Sequence, residues 1–448
     1  YSWFHRTLGK QIAKSAWQLL TGNLDGLADR LNEIQRLGAE PPEADDRPEM
    51  LLDADRHVPV IAVTGTNGKT TTTRLIASML MHSGRQVGWT SSSGVLIQRK
   101  PVLDGDYTGP SGAARVFAEP GVDVAVLETA RGGILLRGLG YESNDVSVVT
   151  NISADHLGMQ GVLTVEELAL VKSIVPAVTT PDGFAVLNAD DPLVLGMRDR
   201  IAARLFLVSR TPDNPEIANH RNAGGWVLWV DDDQVRFAHD GVTNVLTVLN
   251  DIPITFGGRA THMLENALCA AAACLAIGLD HDQVRTGLAN FRNEASQNRG
   301  RLNVYNVAGV TVILDFAHNL AGLTHLLRLG RALVEGEGRL VAVVGTAGDR
   351  SDDAFIDIGR LAGTEADHVV AKDTKKYLRG RQPGETIELL KRGLASSPET
   401  TFETAPDEFA SFEQALAWVS RGDVIAMMCV EEADRLIPHL DQIGSRVS

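Results

Sequence analysis

Cysteine is scarce: Cys269, Cys274 and Cys429 are the only three in 448 residues, and none has a paired metal-ligand spacing. All three lie in apolar runs, which reads as reduced core residues of a cytoplasmic protein and excludes a disulfide framework. Positive charge is short as well. The formal net charge is −15, the wrong sign for a nucleic-acid surface, although a local cluster of glycine, lysine and arginine can still hold phosphate. There is no apolar run long enough to cross a membrane and no signal-peptide pattern, so no membrane partner is expected. What remains is ordinary globular composition, 44% hydrophobic and 22% charged, in a chain long enough for two or three domains.

The chain is organised around VPVIAVTGTNGKTTTTRLIASML, residues 58–80. Residues 60–63 read as a buried strand and Gly65, Thr66, Asn67 and Gly68 as a tight loop. Lys69 opens a helix whose Leu75, Ile76, Met79 and Leu80 recur at helical spacing. Glycine lets backbone N–H groups approach an anion, and a helix start adds partial positive charge. Lys69 brings a full charge to the same point, and the Thr70 hydroxyl is placed to ligate magnesium. Val63 stands where the longer nucleotide loop has its first glycine, so this is the shorter GxxGKT form. A plain glycine turn is the bland alternative, and the Lys-Thr pair directly after Gly68 favours phosphate binding.

Ahead of this stretch, residues 1–38 read as a helical pair and 39–49 as an acidic, proline-rich linker. Trp3, Phe4 and Trp17 are expected to pack on the body of the protein rather than on a partner. After residue 58, strand, loop and helix alternate, which implies a parallel sheet covered by helices with ligands at the carboxyl ends of strands. Glu128 ends the strand DVAVLE, where a carboxylate can hold magnesium; an isolated strand-end acid more often faces solvent. Asp155 and His156 follow the strand VSVVTN, with metal binding and a structural loop histidine as the two readings.

Thr164 and Glu167 make a capping box that starts a helix. On it Lys172 lies beside the stripe of Leu168, Val171 and Val175. Either it snorkels from a buried stem, the commoner case, or it is desolvated with a depressed pKa and able to form a carbamate. Asn188, Asp190 and Asp191 suit ribose and adenine edges or, equally, a turn. Residues 205–250 read as an antiparallel excursion from the main sheet. Residues 261–278 read as an alanine-dense helix on which Asn266 is a polar contact or a capping or surface residue. A charged, flexible boundary is expected at 292–300. Beyond it LNVYNV, VTVILD, RLVAVVG, DHVVAK and DVIAMMCV form a second, smaller doubly wound unit, with GTAGDRSDD and the basic KDTKKYLRGR at its strand ends.

TGTNGKTTTT, ETARGG, TNISADHLG, a helical lysine, LNADDP, an NAL helix, Gly300-Arg301-Leu302 and DFAHN occur in that order, which resembles the Mur ligase superfamily over nearly everything after residue 58. Within it, VLETARGGILLRGLG, KSIVPAV and FAVLNADDP are similar to the Mur-ligase-like half of the cyanophycin synthetase family. The resemblance implies an α/β fold with a helical extension and linker (1–57), a central P-loop ATPase domain with a mostly parallel sheet (58–298) and a smaller Rossmann-like C-terminal domain (299–448). The implied activity is an ATP-dependent amide-bond ligase, in which ATP phosphorylates a substrate carboxylate and an amine attacks the acyl phosphate.

Gly65, Thr66, Asn67, Gly68, Lys69, Thr70 and Thr71 would then hold the phosphates. Thr70 and Glu128 would ligate one magnesium ion, and His156 and a carbamylated Lys172 a second; Lys69, His156 and Lys172 would be catalytic. Asn266 would contact adenine, with Arg301, Asp315, His318 and Asn319 reaching the nucleotide from the C-terminal side. The implied partners are a small-molecule carboxylate and an amine. The N-terminal helices are a candidate homo-oligomer surface. Ser91, Ser92, Ser93 and Thr108 fall where relatives read the acceptor.

Two departures stand out. The residues ahead of Val58 are too few for the ATP-grasp domain of cyanophycin synthetases, so a single ATP-dependent centre is expected. An aspartate-rich stretch of the family is replaced by Lys375, Lys376 and Arg379, which suits an acidic amine or an anionic acceptor. The competing readings are an ATP-dependent switch that has lost ligation and a small-molecule kinase. Lys69, Glu128, His156 and Lys172 together argue against the first, and the set of Glu128, His156 and DFAHN is excessive for the second.

Overall fold

The computed structural model describes residues 6–40, 50–155 and 157–447. Its hub is β1 (Val60–Thr64), buried at every position as a strand covered on both faces must be. In chain order the larger sheet continues with β2 (Val87–Ser91), β3 (Gly94–Ile97), β4 (Lys100–Asp104), β5 (Val124–Glu128), β6 (Asn144–Val149) and β7 (Thr179–Asn188). It ends with β8 (Arg204–Ser209), β9 (Trp226–Asp231), β10 (Gln234–His239) and β11 (Val242–Val248). The spatial order is β11-β10-β9-β8-β7-β6-β1-β5-β2-β3-β4. From β9 to β2 all neighbours are parallel, and antiparallel ribbons finish both ends. The excursion expected over 205–250 is therefore antiparallel only in β10 and β11. β8 and β9 extend the parallel sheet because their runs FLVS and VLWV are buried on both faces.

Register sets the site. Val63 lies opposite Glu128 and Thr64 opposite Val149, so the loops after β1, β5 and β6 leave the sheet side by side. The helix Lys69–His82 packs against the helix Thr261–Ala276. Ala267, Ala270, Ala271, Ala272 and Ala273 are buried there, small side chains that let the helix backbones come close.

The N-terminal helices Arg6–Thr21 and Leu27–Ala39 pack on each other, burying Leu8, Ser15 and Leu37. Trp17 is 68% exposed, against the expectation that it packs on the body. Leu8 and Ser15, two helical turns apart, define the inward face, and Trp17 points away from it. Trp3, Phe4 and the linker at 41–49 lie outside the described residues. No described helix is long and apolar enough to cross a membrane.

The second sheet contains β12 (Asn303–Val307), β13 (Val310–Asp315), β14 (Leu340–Val344), β15 (His368–Lys372), β16 (Thr401–Ala405), β17 (Val424–Met428) and β18 (Ser445–Arg446). Its order is β16-β15-β14-β17-β13-β12-β18, with β13 to β17 parallel and β12 and β18 antiparallel on one edge. Apolar patterning misses β16 and β18 because both are edge strands, exposed except at Ala405. The connection at 292–300 is an ordered knot rather than a flexible boundary. Asn303 Nδ2 donates to Asn293 O (2.7 Å) and Asn298 O (3.2 Å), and Asn303 Oδ1 accepts from Gly300 N (2.7 Å). The buried Asn303 amide thus finds its partners in the connection's own backbone.

At the carboxyl edge of this sheet Lys372 Nζ lies 2.9 Å from Glu408 Oε1, both side chains fully buried. Burial works to raise the Glu408 carboxyl, but Lys372 and the N–H groups of Val430 and Glu432 hold it below the usual carboxylate range. A carboxylate depressed in the folded state stabilises above its unfolded pKa, about 4.3, and that contribution is lost as pH falls through the lower folded value. Glu408→Ala is expected to cost about 3–5 kcal/mol at neutral pH by stranding the Lys372 ammonium. The urea midpoint reads this loss, and the gap to wild type should narrow below about pH 4.

Candidate active site

The loop after β1 is built for close backbone approach. Gly65 has φ +143°, and a Cβ there would stand 2.0 Å from Thr150 Oγ1; Gly68 has φ +85°, and a Cβ would stand 2.0 Å from Asn266 Oδ1. Only glycine fits both the backbone and the contacts. The loop after β6 fixes this loop in place. Thr150 Oγ1 and Asn151 Nδ2 donate to Asn67 O at 2.7 and 3.0 Å, and Asn67 N donates to Asn151 Oδ1 at 2.9 Å. Asn266 is 2% exposed against Gly68, which discards the capping and surface readings for it.

Two lysines converge on one carbonyl. Lys69 Nζ donates to Gly65 O (3.1 Å) and Thr66 O (2.8 Å), and Lys172 Nζ donates to Gly65 O at 2.6 Å. Burial lowers the pKa of Lys69, and burial together with the Lys69 charge pushes that of Lys172 well below the ordinary range. Lys172 is 3% exposed. It does not snorkel, because the helix Val165–Lys172 ends against the loop and carries the ammonium inward. Glu128 is likewise 3% exposed and does not face solvent. Its Oε1 accepts from Thr70 Oγ1 (3.1 Å) and its Oε2 from Ser92 N (3.3 Å). Burial raises its pKa against the pull of Lys69.

The second sheet reaches in from the other side. Asn67 and Asn319 exchange amide hydrogen bonds of 3.3 and 3.1 Å, and Asn319 also caps the helix Leu320–Leu333 through Gly322 N. The Arg301 guanidinium lies 4.2 Å from the Phe316 ring centre. Asp315 accepts from Leu302 N at 2.8 Å, and burial raises its pKa against Arg301. His318 Nε2 stands 3.7 Å from Asp155 Oδ2. His156, expected to bind metal and act in catalysis, lies outside the described residues.

Two cavities share the loop. The first, about 530 Å³, runs from Lys69, Thr70 and Glu128 past Lys172 to Thr108 and Arg131. The second, about 450 Å³, runs from Asn67 and Thr71 to Asn188, Asn266 and Asp315. Arg301 and Phe316 border both. Thr66, Gly68, His318 and Ser92 also reach cavity walls, whereas Gly65, Asn319, Ser91 and Ser93 stand behind them. Asp190 and Asp191 border the second cavity while serving as turn residues: Asp190 accepts from Ser209 Oγ (2.6 Å), and Asp191 caps the helix Pro192–Leu195. No residue of 372–381 borders either cavity. Lys375 is held by Asp407 (2.9 Å) and Lys376 by Glu431 O (3.0 Å), so the basic run is engaged within its own sheet.

Sequence reasoning assigned no role to two arginines that the structure places here. Arg131 donates to Met159 O (3.3 Å) and Gln160 Oε1 (3.2 Å) beside the first cavity. Arg74 joins the helix Lys69–His82 to Ser93 Oγ (2.8 Å) and Asn298 Oδ1 (3.2 Å). An arginine inside ETARGG and one directly after the threonine run were the available signals. Among the described residues no group of three or more His, Cys, Asp and Glu could hold a metal alone. The Thr70 hydroxyl and Glu128 carboxylate instead offer two hard oxygens beside a glycine cradle, a donor set that suits magnesium completed by phosphate oxygens and water.

Two family descriptions match the chain: Mur ligase middle domain over residues 63–274 and Mur ligase, glutamate ligase domain over 300–429. A cyanophycin synthetase of Synechocystis sp. is 40% identical over 390 residues, covering 86% of this chain and 44% of its own length. The chain thus spans less than half of the cyanophycin synthetases it matches. A UDP-N-acetylmuramoyl-L-alanyl-D-glutamate–2,6-diaminopimelate ligase of Chlorobaculum tepidum is 26% identical, over 82% of this chain and 70% of its own. Among solved structures, E. coli FolC with ADP superposes with a TM-score of 0.62 at 21% identity, over 86% of this chain and 89% of its own. A pseudomurein peptide ligase type C from Methanothermus fervidus gives 0.57 at 19%, over 92% and 84%. At those identities the likeness is one of fold.

Proposed function

This chain belongs to the Mur ligase family, and from that premise we propose that it is an ATP-dependent amide-bond ligase. It joins an amine to a carboxylate of an amino acid or small peptide and releases ADP and phosphate. The observation that carries the reading is the convergence of Lys69, Thr70, Glu128 and Lys172 on one cavity beside a glycine-cradled loop.

The acceptor carboxylate takes the γ-phosphoryl group of ATP and becomes an acyl phosphate. The amine nitrogen then attacks the acyl carbon, and the bond to phosphate breaks. The first step brings two anions together, so positive charge must already be in place. Lys69 supplies it at the mouth of the loop, and Arg301 supplies it from the second sheet. Magnesium held by Thr70 and Glu128 would neutralise further phosphate charge and orient the phosphates. Burial and the Lys69 charge hold the Lys172 pKa well below the ordinary range, which favours uptake of carbon dioxide by its amine; a carbamate there would present oxygens to a second magnesium and remove the repulsion with Lys69. The second cavity suits the nucleoside, with Asn266 and Asp315 on its wall. Closure around Asn67 and Asn319 excludes water that would hydrolyse the acyl phosphate.

Hydroxylamine trapping tests the reading. With ATP, magnesium and a panel of amino-acid and dipeptide acids, at least one acid is expected to yield a hydroxamate together with ADP. Absence of hydroxamate from every acid that supports ATP turnover would instead favour a switch of the same fold. Release of AMP would overturn the proposed chemistry.

A further inference from the structure

Two loops at the carboxyl edge of the second sheet lock onto each other. Gly348 N donates to Tyr377 O at 2.8 Å. A Cβ on Gly348 would stand 2.0 Å from Leu378 O, so a side chain there would hold the loops apart. Arg381 then clasps the first loop. Its Nε donates to Gly348 O and its Nη2 to Arg350 O and Asp352 Oδ1, each at 2.8 Å. Its Nη1 donates to Glu385 Oε1 at 2.6 Å. A planar guanidinium with five donors suits this task, since one rigid group can fix several acceptors at once. The basic stretch KDTKKYLRGR therefore serves, through Arg381, to stiffen the GTAGDRSDD loop.

The stiffened arm fixes the backbone of Arg350, whose side chain reaches the first sheet. Arg350 Nη2 lies 3.2 Å from Asp155 Oδ1, and the two side chains are 8% and 11% exposed. The other oxygen of Asp155 faces His318 Nε2 of the second unit at 3.7 Å. Asp155 borders the first cavity, so a carboxylate of the ATP-loop unit is paired with Arg350 and faced by His318, both of the other unit, at the edge of the reaction space. Removing one partner of a shielded ion pair leaves the other charge buried and uncompensated, which is strongly unfavourable.

We propose that the Arg350–Asp155 pair holds the two sheets closed over the first cavity while the acyl phosphate exists, so that the amine rather than water reaches it. The proposal rests on the ligase reading above. Arg350 acts through Asp155 and is a positioning residue.

The test uses the full chain with the acid and amine that the trapping screen identifies. Wild type should release about one phosphate per amide formed, as a coupled reaction requires. Arg350→Met should raise that ratio at least about tenfold in a chain that still melts cooperatively, because the closed state is weakened and hydrolysis competes. Arg350→Lys keeps the charge and should stay within about threefold of wild type. If the Met variant does not fold, Arg350→Gln carries the same expectation as Met. In parallel, small-angle scattering with ADP should give a larger radius of gyration for the Met or Gln variant than for wild type. An unchanged ratio, or an unchanged radius of gyration, overturns the clamp. If wild type forms no amide with any pair, the ligase reading falls, and the scattering comparison alone decides whether the clamp exists.

Discussion

Lys69→Met is expected to lower amide formation and ATP turnover by at least about 10³-fold, because the charge that offsets the γ-phosphate is lost in a site of low dielectric. The fold should survive. Among the described residues the Lys69 head donates hydrogen bonds to the carbonyls of Gly65 and Thr66 and to no carboxylate, and burial outweighs the pull of Glu128 and Asp155 to lower its pKa. Methionine keeps the stem volume without a buried ammonium. Steady-state ADP release and a thermal melt, taken on the same preparation, read the two halves of this expectation. Turnover within tenfold of wild type would remove Lys69 from the chemistry.

Glu128→Gln should separate function from stability in the same way. The carboxylate is buried, and its raised pKa shows that burial outweighs the favourable pull of Lys69 and the Thr70 hydroxyl. An amide of the same shape can still accept from Thr70 Oγ1 or Ser92 N and carries no charge into the interior. Stability equal to wild type or up to about 1 kcal/mol higher is therefore expected. Activity should fall about 10²–10³-fold, with half-saturation by magnesium moved to higher concentration, because one anionic oxygen ligand is gone. A variant as active as wild type at the same magnesium concentration would reduce Glu128 to a structural acid.

Much of the architecture was legible because its signals are local. The GTNGKT loop, the Thr164–Glu167 capping box and the apolar runs of β1, β5 and β6 each depend on neighbours within a few residues. Readings failed where burial on one side had to be inferred from sequence alone. Lys172 beside an apolar stripe is compatible with snorkelling outward or pointing inward, and only the position of the Gly65 carbonyl decides. Trp17 looked like a packing residue, yet the shared face of its helix pair lies elsewhere. The 292–300 stretch looked flexible because asparagine and arginine suit loops, but its backbone groups at Asn293, Asn298 and Gly300 are engaged by the buried Asn303 amide.

Taken alone, the chain's chemistry determined that a glycine-rich turn ending in Lys-Thr follows a buried strand, that parallel strand–helix units surround it, and that carboxylate, lysine and amide groups fall at strand ends. Such features arise from spacing and residue type over short distances. The tertiary structure alone decided that β1 lies between β5 and β6, that Glu128 and Lys172 are dehydrated, that Asn67 meets Asn319, and that Arg350 reaches Asp155. Those contacts join residues far apart in the chain, and no local pattern specifies which distant groups share a space from which water is removed.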